Sequence, residues 1–561
     1  VIQLQVKQDP KKNCIKNLPD TQENKVCFEK VNNNKVIPTF GGVIMKTAIY
    51  TFAFFLVILF LSFQLMYAQS FTNISESAGV LGLEKFCAHG IMFADLTEDG
   101  LPDLLMTNIG GREILPNLLF INQGNGKFIE DGKKRGAWNI NLVDQPDKDW
   151  YTRKTIQFDS IQLAELKKKK GLFGRGTHGS VFADLDNDGD YDLVNATTDI
   201  RIIFHRNEGA GYFTDVTEKT GITSTYIATR GVTAFDADGD GDMDIFGNNG
   251  WQTVENGNTG KNEFYINEGN FKFRQVDQGL AGPFGGQGVT DIDLDLDGDI
   301  DLLLARKDVL FENDGHGNFT QKPLGHNHRA GAGWMAGDFD NDGDFDLACV
   351  EDIVFRQNYE ISFFQRDQTG LYQLTQLLPA DKGGAMGSFG DLDNDGDLDF
   401  YASGDNKIYL NDGSGIFTAK ENCGMDAHRD DPRGVSITDI DNDGDLDIMI
   451  ACKRSLCIMY RNDYNGKNNW LKVSVTSPSG TAGGFGSVLR IYRAGKMGQT
   501  RHFLGMRAIS GNQGYLGQPD PVVHFGLGEV DEVDVEVSFV SGEKVMKRNQ
   551  KCNQTIIIKG N

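Results

Sequence analysis

The sequence predicts an all-β chain: a seven-bladed β-propeller followed by a small β-sandwich or barrel. Three observations predict it. One acidic nonapeptide recurs seven times, strand-like runs flank the copies, and an Asn/Gly turn signal follows most of them. Composition agrees. The 561 residues include 68 glycines and only 13 prolines, the mark of a turn-rich protein. Aromatic residues make up 10%, enough apolar material for a core. The net charge of −24 argues against nucleic acid as a partner.

The first methionine is Met45, and residues 45–70 read MKTAIYTFAFFLVILFLSFQLMYAQS. One Lys, a long apolar run and the small residues Ala68 and Ser70 have the layout of a secretory signal peptide, cleaved near Gln69 or Phe71. A retained anchor is the alternative, because the run reaches the roughly 20 residues that span a bilayer. Cleavage is the favoured reading, giving a secreted or extracytoplasmic protein with no membrane insertion afterwards. Residues 1–44 are Lys/Asn-rich without sustained pattern and are expected to lie outside the mature protein.

From residue 71 the repeat governs the chain, and a period of this kind decides the architecture. Its first copy, DLTEDGLPD, places Asp95, Thr97, Asp99, Leu101 and Asp103 at positions one, three, five, seven and nine. The second places Asp184, Asp186, Asp188, Asp190 and Asp192 there, and the third Asp236, Asp238, Asp240, Asp242 and Asp244. The fourth has Asp293, Asp295, Asp297, Asp299 and Asp301, and the fifth Asp338, Asp340, Asp342, Asp344 and Asp346. The sixth has Asp391, Asp393, Asp395, Asp397 and Asp399, and the seventh Asp439, Asp441, Asp443, Asp445 and Asp447. A glycine holds position six in all seven, which a random acidic tail would not do.

When the backbone curls, side chains one, three and five converge. The glycine permits the sharp turn, position seven offers its carbonyl, and Asp at nine closes the ring. Such an all-oxygen cage suits Ca²⁺, with six to eight ligands, better than Mg²⁺, which demands octahedral geometry. Up to seven calcium sites are therefore expected, the first the weakest because of Thr97 and Pro102. An EF-hand is excluded: position twelve is Met106, Asn195, Gly247, Leu304, Cys349, Ala402 or Ile450, never the acidic ligand that loop requires.

Strand-like runs such as GVTAF and DIFGNN surround each loop, so each loop tips a hairpin. A second turn follows, as NQGNGKF (122–128), NEGAGYF (207–213), NEGNF (267–271), NDGHGNF (313–319) and NDGSGIF (411–417), decayed to RDQTGLY (366–372) in the fifth copy. Four strands per repeat make a propeller blade, and seven blades lie within the usual range. The seven loops resemble FG-GAP (VCBS-type) repeats over residues 71–466, which implies calcium-binding blades.

The seventh repeat lacks a fourth strand, while FTNISESAGV (71–80) is an orphan that matches the fourth-strand segment FTDVTEKTGI (213–222) in kind. Residues 71–80 should complete blade seven and hide its edge. From Asn469 the acidic pattern gives way to strand alternation. The stretch 514–544 resembles the ASPIC/UnbV domain, which implies a β domain over about 469–558, as in proteins of the cartilage acidic type. His524 within it is read as structural.

Six residues before each loop stand His89, His178, Arg230, Gln287, Ala332, Ala385 and Arg433, with glycine next in six of the seven copies. These residues begin the inner strands. His89, His178, Arg230, Gln287 and Arg433 should therefore ring the channel mouth opposite the loops, either as a ligand face for an anionic or polyhydroxylated group or as strand caps. An insert at 131–175, rich in aromatic and basic residues, joins blades one and two and is expected on the same face. Cys452 and Cys457 flank an expected hairpin turn, and a disulfide between them is expected.

Two functions follow. The first is a secreted calcium-binding propeller acting as an extracellular binding or adhesion module, with a glycan or protein ligand. The alternative is a carbohydrate-active enzyme of lyase or dehydratase type, for which His326, His328, Arg329 and Lys382 are the candidates near the mouth. No motif assigns catalysis to any of them.

Overall fold

The structure, a computed structural model, describes residues 5–9, 12–16 and 70–561 except 82–87, 110–115, 139–175, 198–201, 223–228, 250–260, 281–286, 306–308, 327–330, 351–358, 381–385, 426–430, 454 and 465. Gln5–Asp9 and Lys12–Lys16, within the stretch 1–44 that shows no sustained pattern, pair as an antiparallel ribbon in a separate unit, residues 1–66. The apolar run of the expected signal peptide lies outside the described residues, as do most of the 131–175 insert, His328, Arg329 and Lys382.

Seven antiparallel four-stranded sheets follow one another as blades. In blade one, Ala88–Ala94 is the inner strand and Asp103–Asn108, Leu118–Asn122 and Phe128–Glu130 lead outwards. The later inner strands are Thr177–Ala183, Thr229–Phe235, Val289–Ile292, Trp334–Gly337, Gly387–Gly390 and Pro432–Thr438. Each packs beside the next and the last beside the first, closing the ring. The acidic nonapeptide joins inner to second strand in every blade, as its flanking runs predict.

Blade seven is completed from the other end of the propeller chain. Phe71–Asn73 pairs antiparallel with Ile458–Asn462, Phe71 opposite Asn462. The strand is short and polar outside (only Phe71 is buried), but its backbone covers an edge that would otherwise be open.

The apolar cores lie between blades, one in each gap. Phe93, Leu104 and Phe120 of blade one meet Ile440, Met449 and Met459 of blade seven. Phe235 and Phe264 of blade three meet Leu302 and Phe311 of blade four. Both faces of the second and third strands are thus covered, which is why their sequences run nearly continuously apolar instead of alternating.

The C-terminal domain is a sandwich of two sheets and not a closed barrel. Asn469–Thr476 lies between Val523–Gly528 and, in parallel, Gln554–Lys559. Val488–Arg493 lies between Phe503–Ala508 and Glu532–Ser538, with Lys544–Lys551 at the edge. Leu471, Val473 and Val475 face Leu489, Ile491, Val535 and Val537 in a core continuous with that between blades two and three.

From this sandwich, residues 510–520 enter the propeller channel. Gly517 and Gln518 pair in parallel with Ile91 and Met92 of blade one. The Gln518 side chain exchanges two 2.8 Å hydrogen bonds with the backbone of Phe182 in blade two. Asn512 Nδ2 donates to Val232 O in blade three (3.1 Å). Asp291 of blade four accepts from Gly511 N at 2.7 Å, Asn512 N at 2.8 Å and Thr233 Oγ1 at 2.5 Å. Gly514 N donates to Trp334 O of blade five at 2.8 Å, Tyr515 N meets Met386 Sδ beside blade six at 3.2 Å, and Ser436 Oγ of blade seven donates to Gln518 O at 3.1 Å. The segment is a plug held by all seven blades.

The plug explains four of the six recurrent glycines at the start of the inner strands, Gly90, Gly179, Gly288 and Gly333, while Gly231 and Gly434 face the neighbouring inner strand. A Cβ on Gly288 would lie 1.9 Å from Gly514 O, and one on Gly333 2.0 Å from Gly514 C. Backbone here approaches backbone, which only glycine allows.

Candidate metal centres

Two left-handed residues shape each loop. Position six is glycine with φ between 82° and 107° in all seven. Position four is also left-handed: Asn187, Asn341, Asn394 and Asn442 have φ of 58–61°, and Asn is among the non-glycine residues that tolerate this best. The carboxylate at position one then caps the turn. Asp184 accepts from Asp188 N at 3.2 Å and Gly189 N at 3.0 Å, and Asp95, Asp293, Asp391 and Asp439 repeat the pattern. In all seven loops the residue at position seven, Leu101 included, gives its N–H to the carboxylate at position five.

Position nine ties the loop to its blade. Asp192 accepts from Leu185 N at 2.9 Å and from Asn207 N, the end of the third strand, at 2.8 Å. Asp103, Asp244, Asp301, Asp399 and Asp447 do the same. Position three is different. Oδ1 of Asp186, Asp238, Asp393 and Asp441, and Oγ1 of Thr97, are buried with no protein partner. Buried polar atoms are rarely left so.

These oxygens converge. One carboxylate oxygen each from Asp184, Asp186 and Asp192 lies within 4.8 Å of the other two, and so do those of Asp236, Asp238 and Asp244, of Asp338, Asp340 and Asp346, and of Asp391, Asp393 and Asp399. In loop four the trio is Asp293, Asp295 and Asp297. Burial, then the neighbouring carboxylates, push Asp192 and Asp346 up to about 9 and Asp301 to about 8, against the pull of their backbone N–H partners. Crowded, desolvated carboxylates disfavour their own ionisation. A hard cation at the centre reverses that, and the all-oxygen donor set with its orphaned atoms fits one. These loops could hold metal ions.

The C-terminal domain sits on the same loops. Lys472 Nζ lies 2.7 Å from Asp439 Oδ2 and also bonds Asn442. Ala482 N donates to Asp184 Oδ2 at 3.1 Å, and Thr481 Oγ1 to Asn187 at 2.8 Å. Burial draws the His524 imidazole down to about 4, so it is neutral, and its Nε2–H meets Gly444 O at 3.0 Å. His524 is a docking residue, in keeping with a structural role.

At the opposite mouth, Arg433, His89, His178, Arg230 and Gln287 follow one another on blades seven, one, two, three and four. They do not surround an open hole, because the plug fills it: the Tyr515 hydroxyl reaches His89 Nδ1 at 3.3 Å. His89, His178 and Gln287 are buried, while Arg230 and Arg433 are half-buried. The expected disulfide is not formed. Cys452 packs in the core between blades six and seven and Cys457 in that between seven and one, so the two thiols point to opposite faces of one sheet. His326 is stacked on Phe364 (4.3 Å) and beside Trp334 (5.4 Å).

A further set of residues was hidden within the turn signal. In five blades the Asn that ends the third strand is also a staple between blades. Its Nδ2 donates to the carbonyl at loop position two of the preceding blade: Asn122 to Ile440, Asn267 to Leu185, Asn313 to Ala237, Asn411 to Phe339 and Asn462 to Leu392, all at 2.6–3.0 Å. The first of these bonds crosses the closure of the ring. Blade five has Arg366 in that place. The available signal was the Asn itself, recurring at the end of the third strand 12–23 residues after position nine.

Comparison with known proteins agrees with the repeats. The FG-GAP-like repeat family matches residues 173–247, 293–349 and 391–450, and the ASPIC and UnbV family matches 478–561. Cartilage acidic protein 1 of Homo sapiens is 24% identical over 499 residues, 82% of this chain and 70% of that protein. That of Xenopus tropicalis is 23% identical over 81% of this chain and 70% of that protein. Among solved structures, an Agrocybe aegerita lectin that recognises non-reducing terminal N-acetylglucosamine superposes with a TM-score of 0.38 and 17% identity, covering 63% of this chain and 84% of its own. The GH43 protein BlXynB of Bacillus licheniformis gives 0.27 and 11%, covering 67% of this chain and 90% of its own. Likenesses this distant do not bear on what this chain binds. The chain carries FG-GAP-like repeats followed by an ASPIC and UnbV domain, and it is similar to the cartilage acidic proteins.

Proposed function

We propose that this protein is a secreted, calcium-loaded propeller that works as an extracellular binding module, presenting a ligand face on the mouth opposite its acidic loops. The observation that carries the reading is the repeated cage: converging carboxylates, with a buried position-three oxygen that has no protein partner in five loops. Calcium is the ion suited to such a ring of oxygens, and it is abundant outside cells. Export is supported by the apolar run at 45–70 and by the likeness to the cartilage acidic proteins. Binding is supported by the division of the molecule, in which the loop face is taken up by the C-terminal domain while the opposite rim keeps its polar and basic side chains.

An array of glycans and matrix proteins, probed with the full chain in calcium and in EDTA, tests this. Calcium-dependent capture of defined ligands is expected. Capture that is indifferent to calcium, or none at all, would overturn the reading.

A further inference from the structure

We propose that the mouth opposite the acidic loops is an oxyanion site, built from His89, His178, Arg230, Arg433 and Lys453 around the tip of the plug, and that it takes a sulfate ester or carboxylate of an acidic glycan. This deepens the binding-module reading and rests on it.

The residues are brought together by the ring itself. A Cβ on Gly434 would stand 2.5 Å from His89 O, and one on Gly179 2.9 Å from Arg230 O, so the strands carrying Arg433, His89, His178 and Arg230 are in direct succession. Pro432 pairs with Cys452, which sets Lys453 opposite Asp431, two residues from Arg433, and Lys453 N donates to Asp431 O at 3.0 Å. The His89 and His178 rings meet edge to face at 5.2 Å. Arg433 pairs with Asp431 through Nη2. Arg230, Arg433 and Lys453 thus gather around the two imidazoles.

The chemistry selects an anion. Tyr515 OH meets His89 Nδ1, and when the hydroxyl donates, the His89 proton sits on Nε2. That Nε2, His178 Nδ1 and Arg433 Nε are all buried without a protein partner. An arginine Nε can only donate, so the group it awaits is an acceptor. Burial first, and then the surrounding cations, hold both imidazoles well below their usual range. They are therefore neutral, each with one N–H to offer an anion, and the surrounding cations would repel a metal ion. The plug fills the channel behind these side chains, so the site suits a projecting charged group and not a threaded chain.

The test uses the calcium-loaded full chain, ¹⁵N-labelled at histidine, titrated with inorganic sulfate, a heparin hexasaccharide and a hyaluronan hexasaccharide. One or both oligosaccharides should bind, shift the His89 and His178 resonances, and lose at least tenfold in affinity in Arg433→Gln and in the half-buried Arg230→Gln, each melting like the parent protein. Should Arg433→Gln fail to fold, Arg230→Gln and the histidine shifts decide alone. Binding that leaves the imidazoles unmoved, or that survives both variants, overturns the site. Inorganic sulfate binding as tightly as either hexasaccharide overturns the glycan assignment. An array ligand unaffected by the variants sinks this inference and leaves the binding module standing. Histidine shifts with heparin but no calcium-dependent array capture would sink the module and leave the anion site.

Discussion

The Lys472 ammonium lies 2.7 Å from Asp439 Oδ2, with the two side chains 8% and 1% exposed. Lys472 belongs to the C-terminal domain, and Asp439 is the first carboxylate of the seventh loop. A carboxylate bonded to an ammonium has less charge to offer a metal ion. Domain docking and metal binding therefore share a residue, and each must alter the free energy of the other.

Replacing that cation tests the coupling. Removing one partner of a buried pair costs about 3–5 kcal/mol. Lys472→Met should destabilise strongly in EDTA, where Asp439 is left without a cation, and less in calcium, where an ion can neutralise it. Calorimetric melts of variant and parent in both buffers check this. Equal losses would mean that Asp439 is not shared.

Calcium itself should stabilise the ring. A site filled at 100 times its Kd adds about 2.7 kcal/mol, so two or three sites rival the roughly 5–15 kcal/mol of an ordinary domain. The melting temperature should fall steeply in EDTA and recover with Ca²⁺ better than with Mg²⁺. Asp186→Asn is the clean probe, because Asp186 Oδ1 has no protein partner, and it should remove only calcium-dependent stability. Asp192→Asn should also cost stability in EDTA, since Asp192 clasps Leu185 N and Asn207 N. Asp99→Asn should matter least, its loop already having Thr97 at position three.

The pH response should change sign with the metal. Burial and neighbouring charge raise Asp192 and Asp346 to about 9, Asp301 to about 8 and Asp103 to about 7. A carboxyl raised in the folded state contributes stability in full below its unfolded value, about 3.9, and loses it as pH rises through the folded value. Metal-free protein should therefore melt higher at pH 5.5 than at pH 7.5. Calcium needs the ionised carboxylates, so the loaded protein should show the opposite order. Melts at both pH values, with and without chelator, check the pair. The same slope in both states would mean that the loops do not hold the ion.

The blades were legible because their signals are local and repeated. Positive φ at Gly189 and Asn187, the turn at Asn207 and the orphan strand beginning at Phe71 all leave marks within a few residues. The disulfide expectation failed because spacing says how far apart Cys452 and Cys457 are along the chain, not which face of a sheet each occupies. The plug was illegible for a related reason. Its partners are contacts with seven distant strands, and its trace in the sequence, the glycines at 90, 179, 288 and 333, records only that something approaches closely. What approaches is some 180 to 430 residues further on.

Those glycines make the plug testable. Seated, residues 510–520 tie the sandwich to all seven blades, so the protein should unfold in one cooperative transition. A Cβ at Gly288 would lie 1.9 Å from Gly514 O, with no flexible side chain to yield, and the displaced segment would also lose its bonds to Asp291. Gly288→Ala should therefore unseat the plug and split the calorimetric melt into two transitions, the propeller and the sandwich, both below the parent temperature. Gly231→Ala is the control, because its nearest neighbours lie at 3.2 and 3.3 Å and can shift by tenths of an ångström. It should keep one transition and lose far less. A Gly288→Ala protein that melts once, at the parent temperature, would mean that the channel is not what joins the domains.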